Sequence, residues 1–240
     1  MSKVVSRDQA LGVIATAMIN IDWDNLNGDR IQADVAQLPP QELGRRFTEF
    51  LNNGCSVSVT IVAKGVAPEI PEGKKWVEVD NVIYVKVVSN GRSGEEWITY
   101  LESKGFRLSK YAKDVLRSSD FKATSGITYT LAIIRGTAYT DRNRVSKKIR
   151  ADAEKRGWLT PNAEVGCLLR DLLSDKELEE LNLWWVAAMH EPIKDSDGHP
   201  RVLCADRRGG GQWLSTDWDG PDYGWDDIGA FAFLVSQVQN

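Results

Sequence analysis

Two apolar runs of equal length dominate the middle of the chain: VIYVKVVSNG at 82–91 and ITYTLAIIRG at 127–136. Aligned without gaps, Tyr84 matches Tyr129 and Gly91 matches Gly136. Both runs are rich in β-branched residues, and both read as strands. Each is followed by a helical stretch ending in glycine and an aromatic, Lys104-Gly105-Phe106 and Arg156-Gly157-Trp158. A Ser or Thr cap and a second helix closing on Leu-Arg come next, at Leu116-Arg117 and Leu169-Arg170. The spacing predicts a duplicated β-α-α unit, with the two strands lying parallel in one sheet joined by right-handed crossovers.

Capping residues punctuate the rest of this region. Ser93 with Glu96 and Ser174 with Glu177 form capping boxes that open helices. Ser109 caps a helix ending near Arg117, Asp141 to Arg156 reads as a longer helix stopped by Gly157, and Thr160-Pro161 opens the next. Trp76 to Val88 reads as a hairpin turning at Asp80-Asn81. Upstream, a helix is expected over 7–19, where Ser6 and Gln9 cap Leu11, Ile14, Ala15 and Met18 at helical spacing. This outcompetes a leader-peptide reading, because cleavage after Ala15-Thr16-Ala17 would leave too short an apolar region. A helix over 41–51 and a strand over 56–63 follow.

From Leu183 onward the pattern becomes strand and turn. Leu183–His190, Arg201–Ala205, Gln212–Ser215 and Ala230–Val238 alternate with Gly- and Asp-rich turns, which reads as an antiparallel meander rich in tryptophan. The fold class expected is α+β: a mixed sheet with the duplicated unit and this C-terminal meander. Residues 1–120 form an N-terminal α/β region and 121–240 a C-terminal α+β region, two regions that can pack as one domain.

Composition removes several function classes. The 240 residues carry a formal net charge of −4, whereas dedicated nucleic-acid binders are usually basic. No run approaches the 18 apolar residues of a membrane span. Cys55, Cys167 and Cys204 are far apart and odd in number, so they read as small buried hydrophobes in a reducing, cytoplasmic setting. There is no phosphate-binding loop around Gly209-Gly210-Gly211 and no nucleophile elbow.

Three clusters carry candidate chemistry. His190-Glu191 lies close to Asp195, Asp197 and His199, which are metal-ligand residue types. A hairpin closing at Asp195–Gly198, however, would face Lys194 with His199 and His190 with Leu203, leaving the histidines roughly 13 Å apart. No metal or other cofactor is expected, and His190 and Glu191 remain the catalytic candidates of a hydrolase reading. The second cluster is acidic and aromatic. Trp213, Asp217, Trp218, Asp219, Tyr223 and Trp225, with Arg207 and Arg208 nearby, could hold a partner by stacking and hydrogen bonding, or could simply close the sheet edge. Third, Arg144, Lys147, Lys148, Arg150 and Lys155 fall on one arc of the 141–156 helix. That arc could contact phosphates, or could be a solvated face.

The run LWWVAAMHEPIKDSD at 183–197 and the tail GAFAFLVSQV at 229–238 resemble a set of uncharacterised proteins of uncultured candidate-phylum bacteria. The likeness extends back to about residue 97. It implies a bacterial, cytoplasmic setting and brings no activity, cofactor or partner. The residues themselves favour a non-enzymatic protein that binds another protein through an aromatic and charged surface. A carboxylate- or His-dependent hydrolase and a nucleic-acid accessory protein are the alternatives.

Overall fold

A computed structural model describes residues 67–239, together with Gln41, Ile61 and Val62, and side chains up to Val235. The helix expected over 7–19, most of the 41–51 helix and of the 56–63 strand, and Cys55 lie outside the described residues. Residues 58–240 form one compact unit, so strands from both sides of residue 120 share a sheet.

The fold is α+β, built on a mixed sheet. Its strands are β1 (Ile61–Val62), β2 (Trp76–Val79), β3 (Val82–Asn90), β4 (Arg107–Leu108), β5 (Ser125–Arg135), β6 (Trp185–Ala188), β7 (Ile193–Lys194), β8 (Pro200–Arg208), β9 (Gly211–Trp218) and β10 (Ala230–Gln239). The main path runs β2-β3-β5-β10-β6-β8-β9-β4; β1 pairs with β10, and β7 with β8. Pairing is antiparallel except at β10/β6 and β4/β9. The helices are α1 (Gly94–Ser103), α2 (Lys110–Arg117), α3 (Ser146–Lys155), α4 (Glu164–Leu172) and α5 (Asp175–Glu180).

Local signals hold where the chemistry is local. Asp80 and Asn81 take φ of 52° and 61°, the left-handed pair that a two-residue hairpin loop between β2 and β3 demands. Both capping boxes form, at Ser93/Glu96 and Ser174/Glu177, and Ser109 caps α2. Gly105 and Gly157 adopt positive φ just past their helices.

The duplicated unit does not form. β3 and β5 are antiparallel neighbours, Val82 opposite Ile134 and Asn90 near Ser125. The reason is at the ends of the excursion between them. The Gly91 N–H donates to Thr124 O at 2.8 Å, and Gly94, at the start of α1, packs on the Leu116 carbonyl at the end of α2. The helical pair therefore leaves and returns at one end of the sheet, as an insertion in a β3–β5 hairpin, and a parallel crossover cannot result. The supposed second copy differs as well, because β10 separates β5 from β6.

The meander is also only partial. β6, β8 and β9 form it, but β10 does not continue beside β9. It crosses to the sheet centre, antiparallel to β5 and parallel to β6. Its run Ala230 to Val235 is buried throughout, with Ala230, Ala232 and Leu234 in one core and Phe231, Phe233 and Val235 in the other. A strand buried on both faces belongs in the middle of a sheet.

Helices α1, α2, α4 and α5 cover the first face, centred on Trp97, Leu101, Leu169 and Leu178. The second face is covered by α3 and the 219–229 loop, through Ile149, Ala153 and Trp225. The predicted 141–156 helix starts late, at Ser146, and Pro161 stays outside α4. At the start of α3, the Ser146 and Lys147 N–H groups donate to the carbonyls of Tyr223 and Pro221. The 221–223 loop thus satisfies amides that a further turn of helix would have used.

Candidate functional site

The chemistry of the sequence clusters is decided by which side chains the sheet leaves uncommitted. His190 is not among them. It is buried, its Nδ1 lies 2.7 Å from Glu191 O, and its Nε2 lies 3.0 Å from the Leu203 N–H. A carbonyl can only accept and an amide can only donate, so the ring is neutral, with its proton on Nδ1. Burial, reinforced by the nearby Arg150 charge, pushes its pKa down to about 4. No ring nitrogen is left for a substrate proton or a metal, and this removes His190 from the hydrolase reading. Glu191 beside it is exposed, and its carbonyl is the partner of the His190 ring.

The turn before β8 is one residue wider than expected, with Lys194 opposite Pro200 rather than His199. Asp195, Asp197 and His199 do bring ligand-type atoms within 4.8 Å of one another. Each has a structural task already. Asp195 accepts from the Asp197 and His199 amides and from Arg201 Nε, Asp197 accepts from Tyr111 Oη, and His199 stacks on Trp218.

The basic arc is largely consumed by the protein. Arg144 is buried ahead of α3, where it donates to the carbonyls of Gly136, Tyr139 and Trp225. Arg150 donates to Met189 O and His190 O and pairs with buried Asp219. These two arginines hold loops together, so they fit neither reading of that arc, phosphate contact or a solvated face. Lys147 pairs with Asp222 at 2.5 Å and Lys148 donates to Arg142 O, both at the surface; Lys155 is exposed. Exposed pairs of this kind contribute little. The double change Lys147→Glu with Lys148→Glu should therefore shift stability by under about 1 kcal/mol. It should also leave nucleic-acid binding at physiological salt no weaker than that of the unaltered chain, which titration of a labelled oligonucleotide would check.

The acidic and aromatic cluster divides in a similar way. Trp225 is buried and donates to Ser146 Oγ, Asp219 is covered by Arg150, and Trp213 is half-buried beneath Arg107. Trp218 sits on the first face, 5.5 Å from the Arg201 guanidinium. Asp217 accepts from Tyr223 Oη at 2.8 Å.

The acidic and aromatic cluster borders a cavity of about 170 Å³ on the second face, beyond the cover of α3. Cross-strand register builds it. Asp206 lies opposite Trp213 and Trp185, and Cys204 opposite Ser215, so these alternate positions of β6, β8 and β9 share a face. Trp184, Trp185, Asp206, Arg208, Asp217 and Ile228 are among its lining residues. Trp184 is 48% exposed and Ile228 45%. They are tied together by the Trp184 N–H donating to Ile228 O.

Asp206 is 3% exposed. Its Oδ2 accepts from Ser215 Oγ and pairs with Arg208 at 3.0 Å, while Oδ1 has no donor from the protein. Arg170, on the opposite face, donates to the Asp206 carbonyl instead. Burial pushes the Asp206 carboxyl above its usual range, against the pull of Ser215 and Arg208. Cys204, also lining the cavity, is a free buried thiol whose pKa burial raises, so it is no nucleophile.

Of the residues expected to bind, the cavity gathers Arg207, Arg208 and Asp217, with Tyr223 adjoining through Asp217. Sequence reading missed Trp184, Trp185, Asp206, Ser215 and Ile228. One signal was available: Asp206 is a carboxylate inside the strand VLCADRR, at the alternate position to apolar Val202 and Cys204. No helix among the described residues is long and apolar enough to cross a membrane. Family models, curated proteins and solved structures were all compared with the chain, and none matches it.

Proposed function

We propose that this chain is a non-enzymatic interaction protein of the bacterial cytoplasm. In this reading the second-face cavity and its rim form the surface that receives another protein. The observation that carries the proposal is the pairing of exposed Trp184 and Ile228 with a buried carboxylate that lacks a donor. Exposed large apolar side chains rimmed by charge mark protein contact sites, and tryptophan and arginine are the residue types that anchor them. The free thiols of Cys167 and Cys204 suit a reducing compartment. The engaged state of both His190 ring nitrogens weighs against the hydrolase alternative. The inward commitments of Arg144 and Arg150 weigh against the nucleic-acid one.

The test is differential capture from bacterial extract with the whole chain as bait. Trp184→Ala and Ile228→Asp should each lose a discrete set of captured proteins that the unaltered chain retains. Lys122→Glu, a change at an exposed lysine outside the cavity, should retain the set. Capture that is indifferent to both rim changes would sink the proposal.

A further inference from the structure

We propose that the β2 edge of the sheet pairs with β2 of a second copy of this chain, the two strands running antiparallel about a two-fold axis at Trp76. In the sheet order β3, β5 and β10 separate β2 from the strands around the second-face cavity. The inference therefore does not rest on the partner-binding reading above.

The backbone supplies the first observation. β2 ends the sheet path, and β3 is its one strand partner among the described residues. The opposite end of the path is β4, whose two residues are too few to offer a ladder. The tight loop at Asp80-Asn81 makes Val79 and Val82 a hydrogen-bonded pair, with Val77 and Tyr84 the next. The N–H and C=O groups of Trp76 and Glu78 therefore point away from β3. Among the described residues none of these groups has a hydrogen-bond partner. A cleft of about 550 Å³ runs beside this edge, lined by every residue from Gly73 to Glu78 and by Glu177 and Glu180 of α5. β2 carries neither a proline nor a bulge, the devices that block pairing at an edge.

The side chains select the occupant. Trp76 and Glu78 oppose Val85 and Ile83, both in the first core, so they share the first face. With the axis at Trp76, each Glu78 stands directly opposite Lys74 of the second copy, and the two half-buried Trp76 rings meet. Lys74 is exposed and makes no ion pair among the described residues. Arg135 donates to both oxygens of Glu78, at 2.7 and 3.1 Å, which fixes the carboxylate and leaves each oxygen a further lone pair. Lys75 is already engaged by Glu177 and Leu172 O. The edge thus runs from a cation at Lys74 to an anion at Glu78. A strand of one charge would be repelled at one end, whereas this strand reversed against itself is attracted at both.

The same register suits the main chain. The Trp76 N–H and C=O of each copy pair with those of the other, and each Glu78 N–H reaches the Lys74 carbonyl. The ladder stops there, because the Lys74 N–H already donates to Pro71 O at 3.0 Å. So short a ladder makes a weak interface, with a dissociation constant on the order of 100 μM.

Sedimentation equilibrium of the full chain, from about 10 μM to about 1 mM, should show a monomer–dimer equilibrium. Lys74→Glu should weaken it about tenfold by setting carboxylate against carboxylate, and adding Glu78→Lys should restore it. Glu78→Lys also loses the Arg135 pair, so a second measurement uses the unaltered chain alone. In amide exchange the Trp76 and Glu78 N–H groups should become protected as concentration rises, while the Gly209 N–H, in the exposed β8–β9 turn, should not change. A chain that stays monomeric to about 1 mM would overturn the inference. So would a dimer indifferent to Lys74→Glu. Protection of the Trp76 and Glu78 amides only in complexes with a different protein would assign the edge to a foreign strand instead.

Discussion

Replacing Gly94 with alanine is expected to destabilise the protein by about 3 kcal/mol, at the upper end of what one added methyl group does in a packed site. A Cβ there would sit 1.7 Å from the Leu116 carbonyl oxygen and 2.6 Å from its carbon. The obstacle is backbone, so no rotamer change can relieve it, and α1 and α2 would have to move apart. That contact is also what returns the chain to the same end of the sheet, so loosening it should expose the β3–β5 hairpin to local opening. Gly209→Ala is the control: nothing lies within 4 Å of its added Cβ, and a change within about 0.5 kcal/mol is expected. Urea midpoints of the two variants decide the matter, and equal midpoints would mean that the helices do not meet as described.

The second large effect is a pH dependence carried by His190. In the unfolded chain the ring takes up a proton near pH 6.5, whereas in the folded protein it does so only near about 4. Between these values the unfolded state binds the extra proton, so stability rises with pH. The His190 contribution is therefore full above pH 6.5, declines as pH falls through the window and is flat below it. The total loss is about 3 kcal/mol. His190→Gln should remove this slope while leaving the part due to carboxylates. Melting free energies of both proteins at intervals between pH 7 and pH 4 give the difference directly. Parallel curves would mean that the ring charges in the folded state, which the Leu203 amide facing its Nε2 forbids.

Both effects arise where distant segments meet, and that separates what could be read from the sequence from what could not. The sequence by itself determined the α+β class, the Asp80-Asn81 turn, and the helix starts at Ser93, Ser109 and Ser174. In each case the deciding interaction spans four residues or fewer: a left-handed pair that Asp and Asn tolerate, or a hydroxyl reaching an amide within one turn. Strand positions were legible from β-branched runs, but partners and direction were not, because pairing depends on where the intervening chain returns. The Gly91–Thr124 bond and the Gly94–Leu116 contact decided that β3 and β5 run antiparallel. The unbroken apolar run of β10 hinted at burial on both faces, but only the packed sheet placed it between β5 and β6.

The candidate site divides in the same way. Arg207, Arg208 and Asp217 were legible as charged neighbours of tryptophans. Asp206 carried a faint signal as a carboxylate in an apolar strand register, and its burial was decided by both neighbouring strands and a tryptophan. Arg144, Arg150 and His190 moved the opposite way. Their residue types suggested phosphate binding or catalysis, and the tertiary structure committed each to backbone groups more than 35 residues away or across a loop. Charge and residue type are properties of the sequence, whereas the availability of a polar atom is fixed only when every other segment has claimed its hydrogen bonds.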